Sequence, residues 1–353
     1  MSGDRAEQPR RPDIQGLRAV AVGLVIGYHF SPALVPAGFV GVDVFFVISG
    51  YLITGLLVGE IARSGRISLL SFYSRRVRRI LPAALTVTLA TLIVAYFVYP
   101  RLGFLEVARD AAWATAYLAN VHLAQDPVGY FATAAPSAFT HFWSLAVEEQ
   151  FYLVWPVLLL IVVLLAKKSW RRWSLIVIGS VLVVSMALSV ILTNVAPTLA
   201  FYSLSTRAWE LAIGAGLAVA AQVLTKIPPR WSTEVAGALG VAAILTSAIV
   251  FSEFTPVPGS AAILPTIGAA LILWSGAQSR TVVGRALSLW PARRVGDISY
   301  SLYLWHWPVL IFGFPNIDAS PILRLGLLAL VFALAIASYL LIERPANRIR
   351  IRP

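Results

Sequence analysis

Arg18 and His29 lie eleven residues apart inside the first apolar stretch of the chain. On a helix that spacing turns about 1100°, three full turns plus about 20°, so the two side chains share one face with a rise of about 16 Å between them. One end of the face offers a cation and the other an imidazole. Titratable groups in apolar stretches of membrane length are costly, and each is a candidate for function. Two readings stand for the pair: an active face, or a helix-end anchor with a histidine packed in a polar seam. Asp43, in the run Gly-Val-Asp-Val-Phe-Phe-Val-Ile-Ser-Gly of residues 41–50, enters at a depth similar to His29. There it could orient the imidazole and raise its basicity, or sit in water at the outer boundary. Glu148 and Glu149 open the apolar run 143–166. As neighbours they point about 100° apart, so only one is expected to face a cavity squarely. Arg207 and Glu210 have the i, i+3 spacing of an intrahelical ion pair near the outer surface. Arg75, Arg76, Arg78 and Arg79, just before Pro82, form the densest positive cluster. It reads either as a topological anchor or as a phosphate site built of guanidinium forks. His306, among the aromatics of residues 299–308, is expected to be a satisfied core histidine acting through packing. There is no cysteine, hence no thiolate nucleophile, thiolate metal site or disulfide. No metal-ligand spacing stands out either, and no metal is expected.

Apolar runs must position these groups. Hydrophobic residues make up 59% and charged residues 12% of 353 positions, and the mean hydropathy is +0.80. A soluble core of this length could not hide so much apolar surface, whereas a lipid bilayer accepts it. Ten runs of membrane length fall near 16–35, 37–58, 80–99, 143–166, 173–193, 206–224, 234–252, 260–277, 296–313 and 321–342. A further segment, 104–123, carries Glu106, Arg109 and Asp110. With a cytoplasmic N-terminus, the inner segments hold 24 of the 28 Lys and Arg, and only Arg101, Arg109, Arg207 and Arg324 fall outside or at the outer boundary. That split requires an even number of crossings between Arg79 and Lys167. Segment 104–123 is then expected to be an outer interfacial or re-entrant helix. The expected fold is all-α, a polytopic integral membrane helical bundle of about ten transmembrane helices, with both termini cytoplasmic. Residues 1–15 and 346–353 are read as cytoplasmic segments flanking a transmembrane domain at 16–345. The net charge of +12 is spread as short clusters between apolar runs, leaving no module to grip nucleic acid.

These residues carry a resemblance. The chain resembles acyltransferase family three, membrane O-acyltransferases of bacterial cell-surface carbohydrates, from Asp13 to Pro345. The family's Arg-ten-His pattern matches Arg18 and His29, and its paired-arginine pattern matches Arg75 with Arg78 or Arg76 with Arg79. Phe-Trp-Ser-Leu-Ala-Val-Glu-Glu-Gln-Phe-Tyr at 142–152, Ser-Tyr-Ser-Leu-Tyr-Leu-Trp-His-Trp-Pro at 299–308 and Ile-Glu-Arg-Pro at 342–345 resemble the subgroup often fused to an extracytoplasmic SGNH-type domain. Fused members usually continue past the point where this sequence stops. A stand-alone member and a piece of a longer chain are both open readings.

The resemblance implies transfer of an acetyl or other short acyl group from cytoplasmic acyl-CoA to a hydroxyl of a cell-surface or lipid-linked glycan. Arg18 with Arg75, Arg76, Arg78 and Arg79 would then hold the donor's phosphates. His29, oriented by Asp43, would act as general base or carry the acyl group in a relay; Glu148 and Glu149 complete the candidate catalytic set. The rival from another class is a carrier for an anionic or lipid-linked sugar that uses the same basic mouth and histidine. An anchor for a separate catalytic domain is the third reading, but an anchor has no need of these groups in the membrane.

Overall fold

The computed structural model describes residues 11–125, 136–221, 228–278, 281–313 and 320–348, and the regular elements among them are all helical. In chain order they are α1 (Pro12–Phe30), α2 (Gly41–Ser64), α3 (Leu69–Val98), α4 (Arg101–Thr115), α5 (Ala119–Gln125), α6 (Phe142–Ala166), α7 (Trp170–Val195) and α8 (Pro197–Tyr202). There follow α9 (Leu204–Ala220), α10 (Arg230–Val250), α11 (Ile263–Gln278), α12 (Val282–Leu287), α13 (Trp290–Asp297), α14 (Ser299–Gly313), α15 (Pro321–Ser338) and α16 (Arg344–Arg348). A π-helical turn, Tyr339–Glu343, joins the last two. Residues 1–10 and 349–353 of the expected cytoplasmic segments, and 126–135 of the expected outer loop, lie outside the described residues.

Among the described residues, five stretches are long and apolar enough to cross a membrane: Gly38–Ser64, Leu69–Val98, Phe142–Val195, Arg230–Val250 and Pro321–Arg348. The third runs 54 residues. Straight, it would measure about 81 Å, far beyond about 30 Å of hydrocarbon. It is broken at Lys167, whose φ of 45° ends α6 before α7 begins. The all-helical membrane bundle expected from composition is thus present.

Burial sorts the helices into layers. The apolar window of α2 is 61% buried, whereas those of the α6–α7 stretch and of α15 are only 17% buried. Phe97, Leu165, Val195, Ile249 and Leu341 point outward, as side chains facing lipid do. Helices α1, α9 and α14, with 19, 17 and 15 residues, carry many buried side chains and pack inside this shell. Small residues bring the inner helices together. A Cβ at Gly50 would lie 1.9 Å from the Leu211 carbonyl oxygen, and one at Gly214 would lie 2.0 Å from that of Val47, so the α2 and α9 backbones touch where both lack side chains.

The charged segment after α3 is a helical hairpin. It turns at Tyr117, a non-glycine residue with φ of 55°. Asp110 of α4 meets His122 of α5 at 3.2 Å, and His122 stacks on Trp113 at 5.3 Å, so the polar groups satisfy one another across the turn. Gln150 of α6 fixes the tip by donating to the Tyr117 carbonyl at 3.0 Å and to Asn120 Oδ1 at 2.8 Å.

Candidate functional site

Two cavities share a wall, and each is lined by some of the residues singled out in the sequence. The larger encloses about 880 Å³ of empty space, part of it open to solvent, and Arg18, Arg76, Arg79, Glu148, Glu149 and Tyr152 line it. The smaller, with about 270 Å³ of empty space that is also partly open to solvent, is lined by His29, His141, Thr140, Tyr303, Trp307 and apolar neighbours. Val42 and Tyr303 line both. The Tyr303 hydroxyl donates to the His141 carbonyl at 3.0 Å and lies 2.6 Å from Ser144 Oγ, so the phenol is held in the wall from two sides.

Helix periodicity divides the arginine cluster. Arg76 and Arg79, three residues apart on α3, turn to the cavity beside Arg18, whose Nη1 donates to Gln15 Oε1 at 3.0 Å. Arg75 instead faces Glu60 of α2 at 3.6 Å, and neither it nor Arg78 lines the cavity. Of the five arginines expected to hold a donor, Arg18, Arg76 and Arg79 line the cavity, and Arg75 and Arg78 do not. The Arg76 guanidinium lies over the Tyr152 ring at 4.0 Å. Its Nε is buried with no hydrogen-bond partner among the described residues. An unfilled cationic donor in a cleft is what an anionic oxygen would satisfy.

Both glutamates reach the cavity, contrary to the expectation that only one would. The Tyr152 hydroxyl donates to Glu148 Oε2 at 2.8 Å. Glu149 also lines a side groove with Arg76, Tyr117 and Leu153, because empty space wraps around α6 on two sides. Glu343, from the family-like tetrapeptide at 342–345, is buried in the π-helical turn and accepts from Ser301 Oγ. π-turns recur at functional positions because they re-aim one side chain out of helical register; here the turn ties α15 to α14.

The histidines meet in the smaller cavity. His29 Nδ1 lies 3.1 Å from His306 Nε2, and the rings stack with centroids 5.2 Å apart. Their protons follow from the carbonyls around them. His306 Nδ1 lies 2.5 Å from the Tyr303 carbonyl oxygen, which can only accept, so Nδ1 carries the proton and a neutral His306 presents a bare Nε2. His29 Nδ1 must then donate to it, which makes Nε2 the lone-pair nitrogen of His29. His306, and not Asp43 as expected, is therefore the side chain that meets His29 Nδ1.

Asp43 is engaged elsewhere. Its Oδ1 accepts from Arg207 Nη1 at 2.8 Å, and the same nitrogen donates to Glu210 Oε1 at 3.1 Å. The predicted Arg207–Glu210 pair forms, but as part of a trio that is fully buried, with exposures of 4%, 3% and 0% for Asp43, Arg207 and Glu210. The Arg207 guanidinium also lies over Trp143 and Phe201 at 5.4 and 5.1 Å. Such a site ties α2 to α9.

His141 was not singled out from the sequence. Its ring is 3% exposed and packs against His306 with centroids 5.6 Å apart. Nε2 lies 3.1 Å from the Leu304 carbonyl oxygen. Pro308 lacks the N–H that would cap this carbonyl inside α14, and the imidazole supplies a donor in its place. The legible signal was the proline four residues after Leu304. No group of His, Asp or Glu among the described residues could hold a metal ion.

Over residues 11–343 the chain matches the model of an acyltransferase domain. It is 32% identical over 349 residues to the peptidoglycan O-acetyltransferase OatA of Listeria monocytogenes, covering 96% of this chain and 56% of that protein. It is 32% identical over 346 residues to the putative peptidoglycan O-acetyltransferase YrhL of Bacillus subtilis, covering 95% and 54%. Against the O-acetyltransferase OatA of Staphylococcus aureus the identity is 32% over 311 residues, covering 85% and 51%. The chain thus spans about half the length of the curated relatives it matches. No solved structure matches it.

Proposed function

The chain belongs to the acyltransferase domain family that it matches over residues 11–343, and from that premise we propose that it moves an acetyl or other short acyl group from cytoplasmic acyl-CoA to a hydroxyl of a cell-surface glycan. The observation that carries this reading is the oriented His29–His306 pair, separated from an arginine-lined cleft by one residue layer, Val42 and Tyr303. A phosphorylated donor fits the cleft, where Arg18, Arg76 and Arg79 converge and Arg76 Nε lacks a partner. The thin pantetheine arm would carry the thioester toward the wall. The glycan hydroxyl would enter from the His29 side.

In the proposed reaction His29 Nε2 takes the hydroxyl proton as the oxygen attacks the thioester carbonyl, and the CoA thiolate leaves with the bonding pair of the C–S bond. The positive charge formed on His29 is shared through Nδ1–H with His306 Nε2, a role like that of the third member of a catalytic triad. An acyl-histidine relay through Nε2 uses the same tautomer. Glu148 and Glu149 would offset two of the three arginine charges and steer the donor.

The proposal extends to topology: ten crossings of the cytoplasmic membrane, both termini inside, and the α4–α5 hairpin re-entrant from the outside. The positive-inside split of the arginines supports it. An extracytoplasmic SGNH-type domain is the proposed partner on the acceptor side.

Purified protein in nanodiscs, labelled acyl-CoA and a glycan oligosaccharide test the reading together. Labelled glycan should form, and His29→Ala should lower its rate by roughly 10²- to 10⁴-fold with donor binding retained. Uptake of sugar into sealed vesicles without consumption of acyl-CoA would replace the enzyme by a carrier.

A further inference from the structure

Between α11 and α14 the chain forms two short helices, α12 and α13, of 6 and 8 residues. At about 9 and 12 Å they cannot cross about 30 Å of hydrocarbon. They pack backbone to backbone on the start of α1. A Cβ at Gly16 would lie 2.0 Å from the Leu287 carbonyl oxygen, and one at Gly296 would lie 1.9 Å from that of Gln15. The segment is thereby held at the end of the bundle where α1 begins.

Its outer face mixes large apolar groups with cations. Leu289 and Trp290 are 62% and 65% exposed, and Arg285, Arg293 and Arg294 are exposed beside them. At 100° per residue, Trp290, Pro291, Arg293 and Arg294 fall within one arc of about 160° on α13. Val295 packs instead on the core, and Gly296 is buried. The Arg294 guanidinium lies over the Trp290 ring at 5.6 Å, so cation and indole share one place.

Water alone does not reward an exposed leucine and indole. The boundary between lipid headgroups and acyl chains does, because it takes the apolar body of the ring and its polar N–H together. The guanidiniums are free to meet anions there. Among the described residues, none of the three is in an ion pair with a carboxylate. Glu234, which accepts from the Val282 N–H at 2.9 Å, is matched by Arg230 at 3.6 Å. Three arginines against Asp297 then leave two positive charges in excess.

We propose that α12–α13 is a binding surface for an anionic phospholipid of the cytoplasmic leaflet: Leu289 and Trp290 enter the headgroup boundary, and Arg285, Arg293 and Arg294 hold the charged headgroup. This goes beyond the acyl-transfer reading and rests only on the topology proposed with it. A lipid held there braces the start of α1, where Gln15 accepts from Arg18.

A reporter on the segment tests it. In the full chain, free of cysteine, Ala286→Cys puts a fluorophore on an exposed position beside Arg285. In nanodiscs of phosphatidylcholine, phosphatidylglycerol spin-labelled near its glycerol should quench the fluorophore at a roughly fivefold lower mole fraction than phosphatidylcholine labelled in the same way. Arg285→Gln with Arg293→Gln and Arg294→Gln should abolish that preference with the unfolding midpoint kept. Arg171→Gln with Arg172→Gln, exposed arginines at the start of α7, should leave it intact. Equal quenching by the two lipids, no quenching by either, or a preference that survives the triple substitution overturns the proposal. Displacement of the labelled lipid by dissolved glycerol phosphate would assign the patch to a soluble anion and also overturns it. The same cysteine tests the topology separately. Its labelling from outside intact cells by an impermeant thiol reagent would invert the topology, whereas quenching in nanodiscs, whose two leaflets are alike, decides the lipid contact either way.

Discussion

Replacing His306 by Phe keeps a ring in its fully buried slot, 0% exposed, but removes the nitrogen that accepts from His29 Nδ1 at 3.1 Å. The His29 donor is then stranded in an apolar wall formed in part by Trp307, whose ring lies 4.7 Å from it. Stranding a buried donor costs about 1 to 3 kcal/mol. If that cost is felt as the imidazole becomes a cation, the rate of acyl transfer falls roughly five- to 150-fold. It should fall in kcat with the donor KM kept, because the arginine-lined cleft lies beyond Val42 and Tyr303. Single-turnover transfer of labelled acyl from acyl-CoA to glycan, in protein first shown to be folded by its thermal midpoint, measures the effect. A double substitution sharpens it. If His306 acts only through His29, then His29→Ala with His306→Phe should be no slower than His29→Ala alone. Losses that multiply, or a folded His306→Phe protein with wild-type kcat, would refute the dyad.

The arginines should separate by face: Arg76→Gln with Arg79→Gln weakens acyl-CoA binding roughly tenfold to a hundredfold, while Arg75→Gln, which faces Glu60, leaves it near normal. Equilibrium binding of labelled acyl-CoA to the folded variants distinguishes the two, and equal losses would return the whole cluster to a diffuse anchor. Arg207→Ala leaves Asp43 and Glu210 buried without their shared cation, so it should destabilise the protein by about 3 to 5 kcal/mol, read as a lowered unfolding midpoint. A stable Arg207→Ala protein that is catalytically dead would instead place the trio in the chemistry. Single cysteines introduced into this cysteine-free chain should react with an impermeant thiol reagent from outside intact cells at 124–142 and not at 59–79. Labelling of 59–79 from outside would invert the topology.

What was legible in the sequence was whatever depends on one helix at a time. The Arg18–His29 spacing and the i, i+3 pairing of Arg207 with Glu210 follow from 1.5 Å and 100° per residue. The partners across helices do not. Asp43 has the depth to meet His29, but depth leaves rotation about the α2 axis open. That rotation is set by the contact of Gly50 and Gly214, where the α2 and α9 backbones touch. The contact turns Asp43 to Arg207 on α9, and His29 is left to a partner on α14.

The histidine cluster has a cause that does sit in the sequence, one step removed. Pro308 withholds an N–H from the Leu304 carbonyl, and a carbonyl so deep in a bundle must find another donor. His141, at the start of α6, supplies it at 3.1 Å. That one bond fixes the His141 tautomer and holds its ring against His306, which in turn faces His29. Residues 299–308 can thus be read as more than an aromatic packing segment. A proline two residues after His306 opens the helix ladder, and the opened carbonyl recruits a histidine from another helix into the same small cavity. The same logic gives a direct check on the chain of cause: Pro308→Ala restores an N–H to Leu304, should release the His141 ring, and should change its nitrogen-15 tautomer signature while His29 keeps its own.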